Sequence, residues 1–234
     1  MRTKESGGKS MSMADALARL PFWGLLTAKE QGVLAARAVI RRDGPGQIVH
    51  GGQHDCPGLF LVLSGELRAA MLSEAGREIT LYRVGTGEFC VLSASCVISQ
   101  ITFDTQIMTE SSCECLVIDT ATINGLAEKN LALRCALYEQ ALRRFSEVMW
   151  TMQQILFMGL DCRLATFLIG ETDRTDAFEI VMTHDQIARH ISSAREVVAR
   201  MLKRFAAEGW VQLHRGRITV TNPGALRRLA AAEN

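Results

Sequence analysis

The spacing of apolar residues changes along the chain, and each spacing predicts a different kind of structure. Residues 13–20 and 27–39 have helical periodicity. Thr27 and Glu30 stand at capping-box spacing at the start of the second segment. Residues 1–12 are polar and contain glycine, so we expect a disordered tail there. The N-terminal region therefore predicts a tail followed by two short helices.

From about residue 43 to residue 120, short apolar runs alternate with glycine-containing turns. The runs lie at residues 59–63, 67–72, 79–84, 101–108 and 115–118. Short strands with turn residues at a spacing of roughly 8–12 residues are typical of an all-β barrel or sandwich. We therefore expect residues 13–124 to form a β domain with flanking helices.

The next region predicts one long helix with a partner. Neither Gly nor Pro occurs between Leu126 and Met158. Apolar positions recur there at alternating steps of four and three, which is a heptad repeat. These positions, called the seam below, are Leu131, Cys135, Tyr138, Leu142, Phe145, Met149, Met152, Leu156 and Gly159. A helix of more than 30 residues, assigned to 125–160, exceeds a small barrel in length. We therefore favour a second subunit as partner over packing on the chain's own barrel.

The polar flank of this helix is expected to be solvated with either partner. It consists of Glu139, Gln140, Arg143, Arg144 and Glu147.

Residues 161–234 read as short elements with clear boundaries. We expect a helix at 161–170, a turn at 171–176, a strand at 178–182 and a helix at 183–190 that Thr183 caps. A turn at 191–193 precedes a helix at 194–208, which Gly209 ends. Strands at 210–214 and 217–221 around a turn at 215–216 complete a winged helix-turn-helix. The fold class predicted for the whole chain is α+β.

The helix at 194–208 carries side chains suited to reading base edges. Arg195 and Glu196 lie at its start, and Arg200 follows on roughly the same face. Arginine bonds guanine O6 and N7, and glutamate accepts a hydrogen bond from cytosine N4. The alternative is a solvated amphipathic helix in which Glu196 and Arg200 form an ordinary i,i+4 ion pair. Further candidate DNA contacts are Thr183, His184, Ser193, Lys203 and Arg215.

Charge distribution supports a nucleic-acid partner only when the chain is divided. The net charge is +1, which taken alone argues against a DNA-binding protein. Residues 183–234 hold nine Lys or Arg and four Asp or Glu, a net charge of +5. Residues 1–182 hold seventeen Lys or Arg and twenty-one Asp or Glu, a net charge of −4. A basic module on an acidic body is expected of a domain that binds phosphates.

Composition excludes several other classes. The longest apolar runs are far shorter than the roughly 20 residues of a membrane span, and no apolar signal segment begins the chain. We therefore expect a cytoplasmic protein whose seven cysteines are reduced, without a membrane partner. The sequence contains no HExxH, P-loop, GxSxG or GxGxxG motif, so we do not expect an enzyme.

The order of these parts resembles the cAMP receptor protein/FNR (Crp/Fnr) family of bacterial transcription regulators. The most specific stretch runs from Thr183-His184-Asp185-Gln186-Ile187-Ala188 to Arg195-Glu196-Val197-Val198-Ala199-Arg200-Met201-Leu202, and Leu63-Ser64-Gly65-Glu66-Leu67 also fits. The resemblance implies a cyclic-nucleotide-binding-like β-roll, a dimerisation helix at 125–160 and a DNA-binding domain at 161–234. It also implies a homodimer on a two-fold symmetric operator, in contact with RNA polymerase. Arg195, with Ala199 where FNR-type members have Ser, favours a TGTGA-like half-site over TTGAT.

The sensor region departs from the cyclic-nucleotide-binding members of that family. Alignment places Val91-Leu92 where the family has its ribose-binding Gly-Glu pair, and Phe103-Asp104 where it has its phosphate-binding Arg-Ser pair. Leu92 cannot accept a ribose hydroxyl bond and Phe103 cannot bind phosphate, so a buried cyclic phosphate would lack partners. We therefore expect a signal other than cAMP.

Cysteines offer a second hypothesis for the sensor. The first cysteine is Cys56, so the N-terminal cysteine cluster of an FNR-type iron–sulfur protein is absent. Cys90 and Cys96 flank the aligned region and could form a redox-responsive, haem-binding or metal-binding pair, although buried free cysteines are the commoner case. Cys113 and Cys115 share one strand face and are more plausible as core residues than as ligands.

Other side chains are candidate ligand contacts. Ser93 and Ser95 could bond a small ligand or cap a short helix, and Trp150 and Thr151 could line a pocket beside the long helix. His50, His54 and Cys56 suggest a metal site, but without an evident fourth ligand we favour solvated histidines in a turn. The expected mechanism is that a signal near residues 90–104 and 149–152 shifts the packing of the long helix and reorients the recognition helices.

Overall fold

The computed structural model describes residues 11–51, 58–72, 78–90 and 105–231. These residues divide into two compact units. The first unit comprises residues 1–69 and 83–144, and the second comprises residues 70–82 and 145–234. The predicted effector contacts Leu92, Ser93, Ser95, Cys96 and Phe103 lie outside the described residues, as do His54, Cys56 and residues 1–10 of the tail predicted at 1–12.

The two predicted N-terminal helices are present. They are α1 (Met13–Ala18) and α2 (Ala28–Arg37), with a short 3-10 helix, Trp23–Leu25, between them. The capping box forms: the Thr27 backbone N–H donates to the Glu30 carboxylate at 2.8 Å. This bond, together with one from the Thr27 hydroxyl, holds the pKa of Glu30 below its usual value. Local capping chemistry therefore sets the start of α2 as expected.

Within the described ranges, eight strands belong to the β-roll. They are β1 (Val39–Asp43), β2 (Ile48–His50), β3 (Leu59–Ser64), β4 (Leu67–Leu72), β5 (Glu78–Val84), β6 (Phe89–Cys90), β7 (Gln106–Thr109) and β8 (Cys113–Ile118). One four-stranded sheet has the order β1-β8-β3-β6, and a second has the order β2-β7-β4-β5. In the first sheet Leu61 pairs with both Leu116 and Phe89, so the centre of β3 is covered on both edges.

Strand β1 was not predicted, because two of its five residues are arginines. Arg42 forms an ion pair of 2.6 Å with Glu114, the residue opposite it on β8. Arg41 pairs with Asp43 two positions further along its own strand, at 2.8 Å. The cross-strand pair between Arg42 and Glu114 stabilises this sheet edge in place of apolar alternation.

The turn between β3 and β4 requires glycine. Gly65 has a φ of +86°, and a Cβ there would collide with the backbone carbonyl of Ser112. The Leu63-Ser64-Gly65-Glu66-Leu67 stretch therefore has a steric reason for its glycine.

The expected unbroken helix is instead two helices, α3 (Thr120–Ala127) and α4 (Leu131–Phe157). Asn130 produces the break: its Oδ1 accepts from the Leu133 backbone N–H at 3.0 Å. Its Nδ2 donates to the Leu25 carbonyl at 3.0 Å and to the Glu30 carboxylate at 3.1 Å. The prediction of a helix longer than 30 residues was therefore wrong, and α4 has 27 residues.

One face of α4 is covered within the first unit. Leu133 and Leu137 join a core built from the N-terminal helices, β3, β8 and α3, with Phe22, Leu61 and Leu116 among its members. Further along the same face, Arg144 is also buried. Its guanidinium donates to the carbonyls of Arg83 and Phe89 and contacts the Glu88 carboxylate at 3.2 Å.

The prediction that Arg144 is solvated was therefore wrong. The β5–β6 connection supplies the partners that let this charged group leave water.

The second unit contains the C-terminal elements. They are α5 (Leu160–Thr175), β9 (Glu179–Ile180), α6 (His184–His190), α7 (Arg195–Ala207), β10 (Val211–His214), β11 (Arg217–Val220) and α8 (Pro223–Ala231), and the sheet has the order β10-β11-β9. Gly159, the last seam position, precedes α5 as its N-cap. Helix α8 was not predicted. Residues 171–175, expected in a turn, are helical because buried Glu171 pairs with Arg174 at 2.7 Å.

Among the residues that the structure describes, no helix is both long enough and apolar enough to cross a membrane.

Candidate nucleic-acid interface

Helix α6 begins at a capping box, as the sequence predicts. The Gln186 backbone N–H donates to the Thr183 hydroxyl at 3.2 Å, and the Thr183 backbone N–H donates to the Gln186 side-chain oxygen at 2.8 Å. These two bonds satisfy N–H groups that the first helical turn leaves without partners. They fix Thr183 and His184 at the start of the helix-turn-helix.

The turn between α6 and α7 is held by backbone and arginine contacts. The Ser193 backbone N–H donates to the Ala188 carbonyl at 2.9 Å, and Arg163 of α5 donates to the Ile191 carbonyl at 3.0 Å. Burial lowers the pKa of Arg163. Ser192 adopts the left-handed conformation, with a φ of +54°. The predicted turn at 191–193 is therefore confirmed.

Helix α7 has one buried face and one charged face. Val198, Leu202 and Phe205 are fully buried in a core shared with Ile187 of α6 and Ile218 of the wing. The exposed side chains are Arg195, Glu196, Arg200, Lys203 and Arg204. The helix ends before Gly209, whose φ is +73°, as the sequence predicts.

Most of the exposed cations on this face lack an acidic partner. Arg204 pairs with Asp161 at 3.1 Å. In the part of the chain that the structure describes, no carboxylate forms an ion pair with Arg195, Arg200, Lys203 or Arg215. The i,i+4 pair between Glu196 and Arg200, the alternative interpretation of this helix, does not form among these residues either. These charges therefore remain available for an external anion.

A cleft of about 490 Å³ lies between α6, the start of α7 and the wing. Its lining, which defines the basic cleft named below, is Met182, Thr183, His184, Asp185, Arg195, His214, Arg215, Gly216, Arg217 and Ile218. Four predicted contacts, Thr183, His184, Arg195 and Arg215, thus meet in one place.

Two residues of the basic cleft, His214 and Arg217, were not singled out from the sequence. Their signal was the His214-Arg215-Gly216-Arg217 run at the wing turn. The other predicted contacts, Ser193, Glu196, Arg200 and Lys203, do not line the cleft.

His184 lies in a partly buried and cationic part of the basic cleft. Its side chain is half-buried. Burial lowers its pKa below the ordinary 6.5, and the charges of Arg195 and Lys203 lower it further. Cations on α7 therefore disfavour a second positive charge at the start of α6.

Of the predicted effector contacts, Cys90, Trp150 and Thr151 are described. Cys90 ends β6 and is completely buried. The Thr151 hydroxyl donates to the Leu81 carbonyl of β5 at 2.9 Å, so it already has a partner. Trp150 is 44% exposed and lines an apolar groove with Phe145, Met149 and Phe157 on α4.

His50 does not lie in a solvated turn, as the sequence suggested. It is in strand β2, opposite Ile107, and is buried. Burial does not alternate along this short strand, because Ile48 is exposed whereas Val49 and His50 are both buried, and the pairing with β7 shifts register between Ile48 and His50.

The buried cysteines of β8 are poor candidates for redox or ligand chemistry. Burial raises the pKa of the Cys115 thiol to about 12 and also raises the pKa of Cys113. The Cys113 thiol donates to the Glu66 carbonyl at 3.1 Å. A thiolate is the reactive and ligating form, and burial disfavours it here. Within the described ranges, no group of three His, Cys, Asp or Glu residues is placed to hold a metal ion.

Two family models match the chain. Residues 44–130 match the cyclic nucleotide-binding domain, and residues 162–229 match the Crp-like helix-turn-helix domain. The chain is 22% identical over 179 residues to the cAMP-activated global transcriptional regulator CRP of Haemophilus influenzae, covering 74% of this chain and 79% of that protein. It is 24% identical over 216 residues to the regulatory protein HlyX of Actinobacillus pleuropneumoniae, and the match covers 86% of this chain and 85% of that protein.

A solved structure supports the same assignment at higher identity. A transcriptional regulator of the Crp/Fnr family from Eubacterium rectale is 37% identical, with a TM-score of 0.87 over 92% of this chain and all of that one. These relatives are transcription regulators and not enzymes, in agreement with the absence of catalytic motifs. The chain belongs to the Crp/Fnr family of DNA-binding transcription regulators.

Proposed function

We propose that the protein regulates transcription as a homodimer on a two-fold symmetric operator with TGTGA-like half-sites, under the control of a signal other than cAMP. One observation carries the proposal. The side chains of Arg195, Glu196 and Arg200 are exposed on the helix that follows the turn, without ion-pair partners among the described residues. Side chains of this kind at the start of a recognition helix reach base edges in the major groove.

The three side chains divide into donors and an acceptor. Arg195 and Arg200 each supply a bidentate donor for guanine, and Glu196 supplies an acceptor for cytosine. The residues of the basic cleft, with Lys203, then bind phosphates on either side and set the position of the helix without reading sequence. Specificity therefore depends on α7, and affinity depends on α7, α6 and the wing together.

The seam of α4 supports a second copy of the chain as partner. Its side chains are exposed in the single chain: Leu131 63%, Tyr138 52%, Leu142 66%, Phe145 60%, Met149 47%, Met152 47% and Leu156 68%. Cys135 is exposed as well. An apolar heptad stripe of this length is stable in water when a matching helix covers it. A parallel pair of α4 helices would present two recognition helices to half-sites one helical turn apart.

The signal is proposed to act in the β-roll, near residues 90–104. The Haemophilus influenzae relative is cAMP-activated by name, whereas this chain has Leu92 and Phe103 at the aligned ribose and phosphate positions. A redox, haem or metal signal through Cys90 and Cys96 is the second candidate. It is less favoured, because Cys90 is completely buried. RNA polymerase is the proposed protein partner, and the cytoplasm is the proposed location.

Selection from random duplexes tests the operator. The full-length protein should enrich a two-fold symmetric site of the TGTGA type. Arg195→Ala should lose about 1–3 kcal/mol of discrimination at one position of each half-site. Arg228→Ala, an exposed arginine of α8 outside the basic cleft, should select the same sequence as the wild type. Enrichment of no symmetric site, or identical selection by Arg195→Ala, would contradict the proposal.

Calorimetry with cAMP tests the sensor. We expect no heat of binding at micromolar cAMP, because a cyclic phosphate would find neither the arginine nor the hydroxyl that other members of the family provide. Tight binding would show that the alignment of residues 91–104 is wrong. Purification without oxygen, followed by absorption spectra and metal analysis, distinguishes a bound haem or metal from a small organic ligand.

A further inference from the structure

We propose that His184 contacts a DNA phosphate only in its protonated form, so that each protomer takes up a proton when it binds DNA. The inference rests on the proposed function, because it assigns a proton to the same interface. It makes the affinity of the protein for DNA, and not only its choice of sequence, depend on pH between about 6 and 8.

The position of His184 supports a phosphate contact. It is the first residue of α6, and the capping box at Thr183 fixes it there. Its half-buried ring lines the basic cleft together with Arg195 of α7 and with Arg215 and Arg217 of the wing. A cleft of about 490 Å³ holds a phosphate group with its bound water. Arg195 and Arg215 are suited to bind it, and Arg217 already pairs with Glu179 at 3.5 Å.

The groups that face His184 from each neighbouring element are mainly cationic. From α7 they are Arg195 and Lys203, and from the wing they are His214, Arg215 and Arg217. From α6 itself the only acidic neighbour lining the cleft is Asp185, which is exposed and pairs with Arg189 at 3.8 Å. The cleft therefore resists protonation of His184 while it is empty.

An arriving phosphate reverses this balance. A negative charge in the cleft offsets Arg195 and Lys203 and offers an acceptor to the imidazolium N–H. The pKa of His184 is below 6.5 in the free protein and rises in the complex. The contact between protonated His184 and the phosphate therefore contributes fully to DNA affinity below the pKa that His184 has in the free protein. This contribution is lost as pH rises through the pKa that His184 has in the complex. Between these two values, each protomer loses up to about tenfold in affinity per pH unit.

The other described histidines are less suited to this role. His190 lies at the opposite end of α6 and stacks on Phe167, with ring centroids 5.3 Å apart. His50 is buried in the β-roll. His214 lines the same cleft but is exposed on the wing. His214 is therefore the matched control, because it lines the same cleft but is exposed, whereas His184 is half-buried.

The experiment measures affinity against pH for the full-length protein and four variants. Fluorescence anisotropy is recorded from about pH 6 to about pH 8 at constant ionic strength with two labelled duplexes. One duplex carries two TGTGA half-sites with centres one helical turn apart, and the other has an arbitrary sequence. The variants are His184→Gln, His184→Arg, His214→Gln and Arg195→Ala.

Each variant has a distinct expected result. The wild type and His214→Gln should lose at least tenfold in affinity across this range, on both duplexes. His184→Gln should be weak and nearly independent of pH. His184→Arg should be tight and nearly independent of pH, and its salt dependence should be steeper than that of His184→Gln by about 0.9 per protomer. Arg195→Ala should lose preference for the TGTGA duplex.

Failure of this inference and failure of the proposed function give different results. If His184→Gln retains the pH dependence of the wild type, or if His214→Gln alone abolishes it, the proton is not taken up at His184 and the inference is overturned. A wild type that binds neither duplex at any pH overturns the proposed function and this inference with it. Retained binding by His184→Arg shows that the position tolerates substitution, so a weak His184→Gln does not reflect misfolding.

Discussion

Substitution of Leu142 by glutamate should dissociate the proposed dimer while leaving the single chain folded. Leu142 lies near the middle of the seam and is 66% exposed in the protomer, so its side chain contributes little to the chain's own core. In a parallel pair of helices it would face Leu142 of a second copy. The substitution therefore removes two apolar side chains from the interface and places two carboxylates close together.

The magnitude follows from the exposed fraction. Complete burial of a leucine side chain contributes about 2 kcal/mol, and about two thirds of this side chain is available for burial in the dimer. The two copies together then lose roughly 2–4 kcal/mol of apolar burial, before any charge repulsion. Since about 1.4 kcal/mol corresponds to tenfold, the dissociation constant should rise by about 30-fold to 1,000-fold.

Sedimentation equilibrium of the wild type and two variants measures this change. The control is Arg143→Glu, which introduces the same carboxylate at an exposed α4 position next to the seam. Circular dichroism should be unchanged for both variants. Affinity for a duplex with two half-sites should fall for Leu142→Glu alone. An unchanged dissociation constant for Leu142→Glu, or an equal rise for Arg143→Glu, would refute dimerisation through the seam.

Three further substitutions or labelling experiments test other features of the structure. Ser192→Gly should stabilise the protein by about 0.5–1 kcal/mol in urea unfolding, because Ser192 has a φ of +54° and a buried hydroxyl that makes no hydrogen bond within the described structure. The control is Asp176→Gly, at a φ of +50° but with an exposed side chain, and its free energy of unfolding should rise by less. A loss of stability for Ser192→Gly would show that the turn at Ser192 is not strained. At about pH 8, iodoacetamide should modify exposed Cys135 and should not modify Cys115, because burial raises the pKa of the Cys115 thiol to about 12. Mild oxidation should crosslink the proposed dimer through a disulfide between the two copies of Cys135. Equal labelling of both thiols in the folded protein would show that β8 is accessible. Arg144→Met should destabilise the protein by about 1–3 kcal/mol, because two backbone carbonyls lose a buried donor, and a change below about 0.3 kcal/mol would show that water replaces it.

Local signals explain why the helix-turn-helix could be predicted almost to the residue. The α6 capping box joins Thr183 to Gln186, and the end of α7 depends on the conformation of Gly209. Each of these interactions lies within a few residues along the chain. The turn at 191–193 likewise closes through the bond from Ser193 to Ala188.

The failures of prediction share a different cause. Asn130 interrupts the expected helix through bonds to Leu25 and Glu30, which are 105 and 100 residues away in sequence. Arg144 is buried because the backbone carbonyls it needs come from a strand connection 55 to 61 residues earlier. Polarity and local spacing contain no information about such partners, so charged or amide side chains there were expected in solvent.

The site itself was predictable to the extent that it lies on regular elements. Arg195, Glu196 and Arg200 follow from helical spacing on α7 alone. The basic cleft adds His214 and Arg217, whose contribution depends on how the wing folds back beside α6. The lowered pKa of His184 likewise depends on burial and on the charges of Arg195 and Lys203, which only the packing of α7 brings close.

Helix α4 shows why the seam was visible in the sequence although the buried face of the same helix was not. The face covered within the chain carries Leu133, Leu137 and Arg144 at a similar helical spacing, but it is not apolar throughout, because Gln140 and Arg144 on it donate to carbonyls of β6 and β5. An apolar residue at each step of the seam is the pattern expected where a second copy of the same helix is the proposed partner. The seam side chains stay exposed in the single chain, whereas Leu133, Leu137 and Arg144 are covered. The apolar periodicity therefore marks the face of α4 that the proposed dimer would cover, and the polar interruptions mark the face that the chain covers itself.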